Sequence, residues 1–268
     1  MTGRYSPCPC ITPLIIGACH LPLRTMNLLA LETSTECLSI AILRGDQSFA
    51  RDVEAGQRHS ELALPLLYEL LAEAGLTLRQ FDAIAFGQGP GSFTGVRIAC
   101  GLAQGMALGI GKSLVPVPTQ MALAEQTAAE QAIVAIDARM GEIYFAAYRR
   151  DTSLAPGWQA EVAPMLVKPD ALPAIAGQGW SATGSAFDVP VLNDYLMARY
   201  GGQIANVLYA ELPRALAVLQ IAARQLATAG LESAIAPEHA APLYLRNKVA
   251  MTIDERREHH AAKASAVS

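Results

Sequence analysis

Two stretches of this chain, 105 residues apart, repeat one another without a gap. The first runs Leu28-Leu29-Ala30-Leu31 into Glu32-Thr33-Ser34-Thr35, then Leu38-Ser39-Ile40-Ala41-Ile42. The second runs Ile133-Val134-Ala135-Ile136 into Asp137-Ala138-Arg139-Met140-Gly141, then Ile143-Tyr144-Phe145-Ala146-Ala147-Tyr148. An apolar run, an acidic turn and an alternating run describe two antiparallel strands joined by a polar turn. The offset aligns Glu32 with Asp137, Ile40 with Phe145, and Asp46 with Asp151. A chain that opens both halves in the same way is expected to build two α/β lobes of similar topology.

Domain limits follow from the repeat. Residues 26–130 form the expected N-terminal lobe and 131–250 the C-terminal lobe, with a helix over 213–229 able to pack back on the first. Residues 5–23 carry no formal charge, but Pro7, Pro9, Pro13 and Pro22 interrupt them, which a membrane-spanning helix of about 20 residues would not tolerate. The run Leu14 to Cys19 is too short and too broken for a lipoprotein signal. Periodic structure starts after Met26, so residues 1–25 read as a non-native or disordered extension. Residues 251–268, which include His259-His260, lack apolar periodicity and read as a flexible tail.

Between the two copies, Leu62, Leu66, Leu67, Leu70, Leu71 and Ala74 mark a helix that closes at Gly75, with Pro65 in its first turn or kinking it. Residues 81–86 read as a buried strand, Gly87 to Ser92 as a glycine-rich turn, and about 94–108 as a second helix. Gly101, Gly105 and Gly109 line one face of that helix, each at a cost of roughly 1 kcal/mol relative to alanine. Close approach of another element offsets such a cost, and that element is either this chain's own sheet and first helix or a second chain. Beyond Asp151 the sequence becomes rich in proline and glycine, with short apolar runs such as Val189-Pro190-Val191-Leu192, and predicts a less regular lobe. A last amphipathic helix, with Leu216, Leu219, Ala223 and Leu226 inward, stops at Gly230, and Pro242-Leu243-Tyr244-Leu245-Arg246 closes the fold.

Several chemistries are excluded. Gly111-Lys112-Ser113 lacks the first glycine of a phosphate loop, because position 106 is Met106. The turn at Gly87 fails the dinucleotide fingerprint at Ser92, and Pro90 removes an amide donor. No histidine lies one turn from His59, and the five cysteines show no zinc spacing or disulfide framework, as expected of a reducing cytoplasm. His59, Ser60 and Glu61 are adjacent on a helix and cannot form a triad among themselves. A net charge of −4 does not suit a self-sufficient nucleic-acid binder. With 52% hydrophobic and only 16% charged residues, where roughly 25% charged is ordinary, an apolar contact surface and an oligomer are expected. Glu32, Thr33, Ser34 and Asp137 remain as a candidate vestigial nucleotide site, or Glu32 and Asp137 as turn acids bonded to nearby amides.

The motifs Leu31 to Glu36, His59-Ser60-Glu61 leading to Leu64-Pro65, Gly89-Pro90-Gly91-Ser92-Phe93-Thr94-Gly95-Val96-Arg97, Asp137 to Tyr144 and Pro242 to Arg246 together resemble the bacterial TsaB (YeaZ) family of threonylcarbamoyladenosine biosynthesis. The resemblance runs from Met26 to about Val249, and departs from the family at Glu32, where an aspartate is usual. It implies a duplicated fold of the actin/Hsp70/sugar-kinase (ASKHA) type. It also implies a non-catalytic cytoplasmic scaffold, free of the membrane and without its own cofactor or metal. The implied partners are a homologous TsaD-type transferase, a TsaE-type ATPase and, through the complex, tRNA, with a homodimer when the transferase is absent. The expected interface lies on the two N-terminal helices and takes in His59, Ser60, Glu61, Leu67, Leu70, Phe93, Arg97, Gly101 and Gly105. The rival readings are a glycoprotease-like hydrolase using Ser60, His59 or a metal, and a stand-alone kinase-like nucleotide binder using Thr33, Ser34 and Asp137.

Overall fold

A computed structural model describes residues 26–246, so the readings for the N-terminal extension and the C-terminal tail lie outside the described residues. The N-terminal lobe contains strands β1 (Asn27–Glu32), β2 (Cys37–Arg44), β3 (Gln47–Glu54), β4 (Ala83–Gly89) and β5 (Ser113–Pro118), with helices α1 (His59–Ala74), α2 (Phe93–Ile110) and α3 (Thr119–Gln126). The C-terminal lobe contains β6 (Gln131–Asp137), β7 (Ile143–Arg150), β8 (Trp158–Val167), β9 (Trp180–Thr183) and β10 (Ile204–Leu208), with α4 (Pro190–Tyr200) before β10. A final helix, α5 (Ala215–Ala229), follows.

The sheets run β3-β2-β1-β4-β5 and β8-β7-β6-β9-β10. In each, the first three strands form an antiparallel meander and the last two run parallel to the first strand of their lobe. The two lobes therefore share one topology, that of the duplicated ASKHA fold. The stretch after Asp151 is more regular than its proline and glycine content predicts: Pro190 opens α4 at a position where a missing N–H costs nothing.

The repeat needs one correction. Leu31 faces Ile40 across the first hairpin, and both belong to the core under α1 and α2. The pair on the corresponding face of the second hairpin is Ala135 and Phe145, under α4. The strand pair β2/β7 thus keeps the 105-residue offset, whereas β1/β6 is offset by 104, because the second turn is one residue longer. Side chains alternate faces along a strand, so this single residue matters: by face Glu32 corresponds to Ile136, and Asp137 lies one step beyond.

In the N-terminal lobe α1 and α2 cover one face of the sheet through Leu62, Leu66, Leu70, Ala99 and Ala103, and α5 covers the other through Val218, Ile221 and Ala222. Both N-terminal helices end on left-handed glycines, Gly75 and Gly111. Pro65 is the seventh residue of α1, in the second turn rather than the first. By length and composition α2 could cross a membrane, but Val96, Ala99, Ala103 and Ala107 pack it into the domain core. A third helix, α3, follows the two expected ones and packs against the second sheet through Leu123 and Ala124. Between the lobes, Glu125 of α3 accepts from both arms of the Arg224 guanidinium at 2.9 and 2.7 Å, from Arg150 at 3.3 Å and from the Trp158 indole at 2.7 Å. Burial opposes its ionisation, but these donors outweigh that and hold its carboxyl below the usual range.

Candidate functional site: a sealed turn and an open helix face

The β1–β2 turn is closed. Glu32 and Thr33 are fully buried and Ser34 nearly so. The Ser34 amide donates to Glu32 Oε1 at 2.6 Å, and the Thr119 hydroxyl donates to Oε2 at 3.1 Å while accepting from the Gly89 amide. Desolvation raises the Glu32 pKa, and these hydrogen bonds only partly oppose it. A Cβ at Gly87 would lie 1.9 Å from Glu32 Oε2, so the carboxylate rests directly on the β4 backbone. Likewise, a Cβ at Gly91 would meet Ser34 at 2.5 Å and one at Gly95 would meet the Thr33 carbonyl at 1.9 Å. The glycines after β4 therefore serve as floor for this turn. Thr33 Oγ1 donates to the Gly95 carbonyl at 2.7 Å and the Ser92 amide to the Ser34 carbonyl at 2.7 Å, so the Glu32–Thr33 end of the turn is filled by the chain's own groups.

Beside it, between the lobes, is a cavity of about 730 Å³ whose lining includes Ser34, Glu36, Asp137, Arg139, Tyr144 and Tyr244. Asp137 spends its carboxylate locally, on the Arg139 amide at 2.8 Å and guanidinium at 3.2 Å. The four candidate nucleotide residues are thus divided: Ser34 and Asp137 border the cavity, whereas Glu32 and Thr33 are sealed beneath it. Among the described residues, no three His, Cys, Asp or Glu side chains cluster to hold a metal.

His59 and Ser60 also separate. The imidazole is buried at the start of α1, and its Nε2 has no partner, while Ser60 points to solvent. Desolvation lowers the His59 pKa against the opposing pull of the Cys37 and Thr35 carbonyls and Glu36. Glu61 pairs on the surface with Arg58 at 2.8 Å.

The outer face of α1 and α2 is the largest departure from local rules. Leu67 and Leu70, expected at an interface, are 1% and 0% exposed and belong to the lobe's own core, as does His59 at 5%. The apolar residues that do face outward on α1 are Leu64 and Tyr68, which the leucine stripe conceals because they sit one helical turn apart on the opposite side. On α2, Phe93 and Leu108 are exposed. Gly101, Gly105 and Gly109 lie on the same outward side, and a Cβ at any of them would have nothing within 4 Å. Among the described residues, no element makes the close approach that would offset three helical glycines. Arg97 lies at the upper end of this face, stacked on Phe93 and hydrogen-bonded to Tyr244, a residue the interface reading did not include.

Comparison with known proteins agrees with this architecture. The sequence profile described as "TsaD: tRNA N6-adenosine threonylcarbamoyltransferase" matches residues 53–254. The chain is 35% identical over 234 residues to the tRNA threonylcarbamoyladenosine biosynthesis protein TsaB of Escherichia coli, covering 84% of this chain and 96% of that one. It is 36% identical over 245 residues to the protein of the same name from Haemophilus influenzae, covering 85% and 96%. Among solved structures, YeaZ from Pseudomonas aeruginosa is 32% identical, with a TM-score of 0.69 over 82% of this chain and all of that one.

Proposed function

This chain belongs to the TsaB family, and from that premise we propose that it acts in tRNA threonylcarbamoyladenosine formation as a non-catalytic subunit that docks on a TsaD-type transferase. The docking surface is the outer face of α1 and α2: Leu64 and Tyr68 on one helix, Phe93, Leu108 and the glycine ridge on the other. The observation that carries this reading is the open space beside Gly101, Gly105 and Gly109, which no element among the described residues fills and a second chain can. The two chains together would then present a surface for a TsaE-type ATPase and hold the tRNA. The sealed Glu32 turn supports a subunit without its own nucleotide chemistry, and the separation of Ser60 from a buried His59 argues against hydrolysis. The interlobe cavity is the one feature favouring a kinase-like nucleotide binder; calorimetric titration with ATP tests that rival.

Size exclusion with light scattering, on this chain alone and mixed with the transferase, tests the proposal when tRNA modification is assayed on the same fractions. The expected result is a homodimer that converts to a heterodimer, with modification requiring both chains. A Gly105→Trp protein should fold and lose the heterodimer. Normal assembly by that variant would overturn the assignment of the face.

A further inference from the structure

Arg97 sits in the second turn of α2, four residues before Gly101, and so heads the ridge formed by Gly101, Gly105 and Gly109. Its guanidinium is fixed on two sides. The guanidinium carbon lies 3.5 Å from the Phe93 ring centroid, and Nε donates to the Tyr244 hydroxyl at 2.7 Å. Tyr244 is itself held by the segment around it: the Leu243 amide donates to the Gln88 carbonyl at 2.7 Å, and Arg246 reaches the Ala138 carbonyl at 3.0 Å and Glu142 at 2.7 Å. Stacking occupies one guanidinium face and Tyr244 occupies Nε. The two Nη groups make no hydrogen bond or ion pair among the described residues, in contrast to Arg58, Arg139 and Arg246, which each meet a carboxylate.

We propose that this free Nη edge makes a two-point grip on a carboxylate side chain of the partner helix that lies along the glycine ridge, and that Arg97 thereby sets the register and specificity of docking. The inference rests on the docking face proposed above. Apart from Arg58 and Glu61 at the start of α1, which neutralise each other, the rest of that face, Leu64, Tyr68, Phe93, Leu108 and the glycines, is uncharged, so a partner covering it would bury the Arg97 cation, which is strongly unfavourable without a counter-charge. A planar fork with parallel N–H groups matches a carboxylate, and a guanidinium already ordered by Phe93 and Tyr244 gives up little freedom on pairing. A phosphate of RNA fits less well, because affinity for a phosphate backbone needs several cations and the nearby Arg58, Arg139 and Arg246 are already paired.

The test is the affinity of the full chain for the TsaD-type transferase, measured calorimetrically at low and high salt, for Arg97→Gln, Arg97→Lys, Tyr244→Phe and Gly105→Trp, with each variant's melting temperature as a folding control. A charged two-point hydrogen bond predicts a loss of about 10- to 100-fold for Arg97→Gln. Arg97→Lys should recover only a small part, since an ammonium lacks the fork, and Tyr244→Phe should weaken binding about threefold by loosening the guanidinium. The salt dependence seen for the parent chain should largely vanish in Arg97→Gln. Full affinity in Arg97→Lys would overturn the two-point grip. If Arg97→Gln binds within twofold of the parent while Gly105→Trp does not bind, the docking face stands and the carboxylate anchor falls; if both bind normally, both readings fall. A variant that keeps transferase affinity but loses tRNA retention by the assembled complex would identify an RNA phosphate instead and overturn the proposal.

Discussion

Alanine substitution along α2 should have opposite effects at two kinds of glycine. Gly101, Gly105 and Gly109 have open space where a Cβ would go, so changing all three to alanine adds helix propensity and meets no obstacle. At roughly 1 kcal/mol for an interior position, and less at Gly109, one residue from the helix end, the triple variant gains about 2 kcal/mol. For a chain of this size that raises the melting temperature by about 4–8 °C. Gly95 stands in the same helix, but its Cβ would lie 1.9 Å from the Thr33 carbonyl oxygen and 3.0 Å from the carbonyl carbon. Gly95→Ala must therefore displace the turn that carries Thr33 and the hydrogen bond from its hydroxyl to the Gly95 carbonyl, and should lose about 1–3 kcal/mol. Calorimetric melting of the isolated chain, repeated over a range of concentrations to separate self-association from intrinsic stability, reads both signs. The triple variant should also bind the transferase more weakly, because three methyl groups now stand where a partner backbone would approach. A triple variant that melts lower than the parent would reveal an internal neighbour for the ridge and overturn the open-face account. Unchanged transferase affinity in a stabilised triple variant would equally refute it, since the glycines would then serve no contact.

Two further outcomes concern the buried acids. Glu125→Gln leaves Arg150 and Arg224 without their counter-charge; each retains about a fifth of its side-chain exposure, so the loss falls at the lower end of that for a broken buried pair, about 3 kcal/mol at pH 7. Because the folded Glu125 carboxyl titrates below its unfolded value, its stabilisation is present above the ordinary carboxylate range and is lost as pH falls through the folded value; the gap between parent and variant melting temperatures should close in acid. Glu32 behaves in the opposite sense. Its folded pKa is raised, so its contribution favours folding below the ordinary carboxylate range and fades as pH rises through the folded value; Glu32→Gln should flatten that part of the stability profile without abolishing tRNA modification. A steep loss of modification in Glu32→Gln would show that the sealed turn takes part in chemistry.

Both hairpins, the buried stripe of α1 and the terminating Gly75 were legible because alternation, three- and four-residue spacing and left-handed glycines are local signals. What stayed hidden depended on tertiary contacts. A one-residue difference in turn length is invisible in a gapless repeat, yet it reverses which face Glu32 shares with the second lobe. The α3 helix escaped because Thr119, Gln120 and Gln126, which read as surface residues, are buried, Thr119 against Glu32 and Gly89 and Gln126 against Leu212 and Arg214. Leu67 and Leu70 read as outward residues because α1 is apolar on two sides, and composition alone does not say which side meets the sheet. The same ambiguity bears on the proposed docking face. Once the sheet claims the stripe of Leu62, Leu66 and Leu70, the apolar residues left over, Leu64 and Tyr68, need another explanation, and so do three glycines that no element among the described residues approaches. Glu32, the residue most suggestive of chemistry in the sequence, has its hydrogen bonds met by Ser34 and Thr119 and rests on the backbone at Gly87. Among the described residues, local rules are therefore broken without compensation on the outward helix face and kept or compensated at the Glu32 turn, which is the pattern the proposed docking role expects.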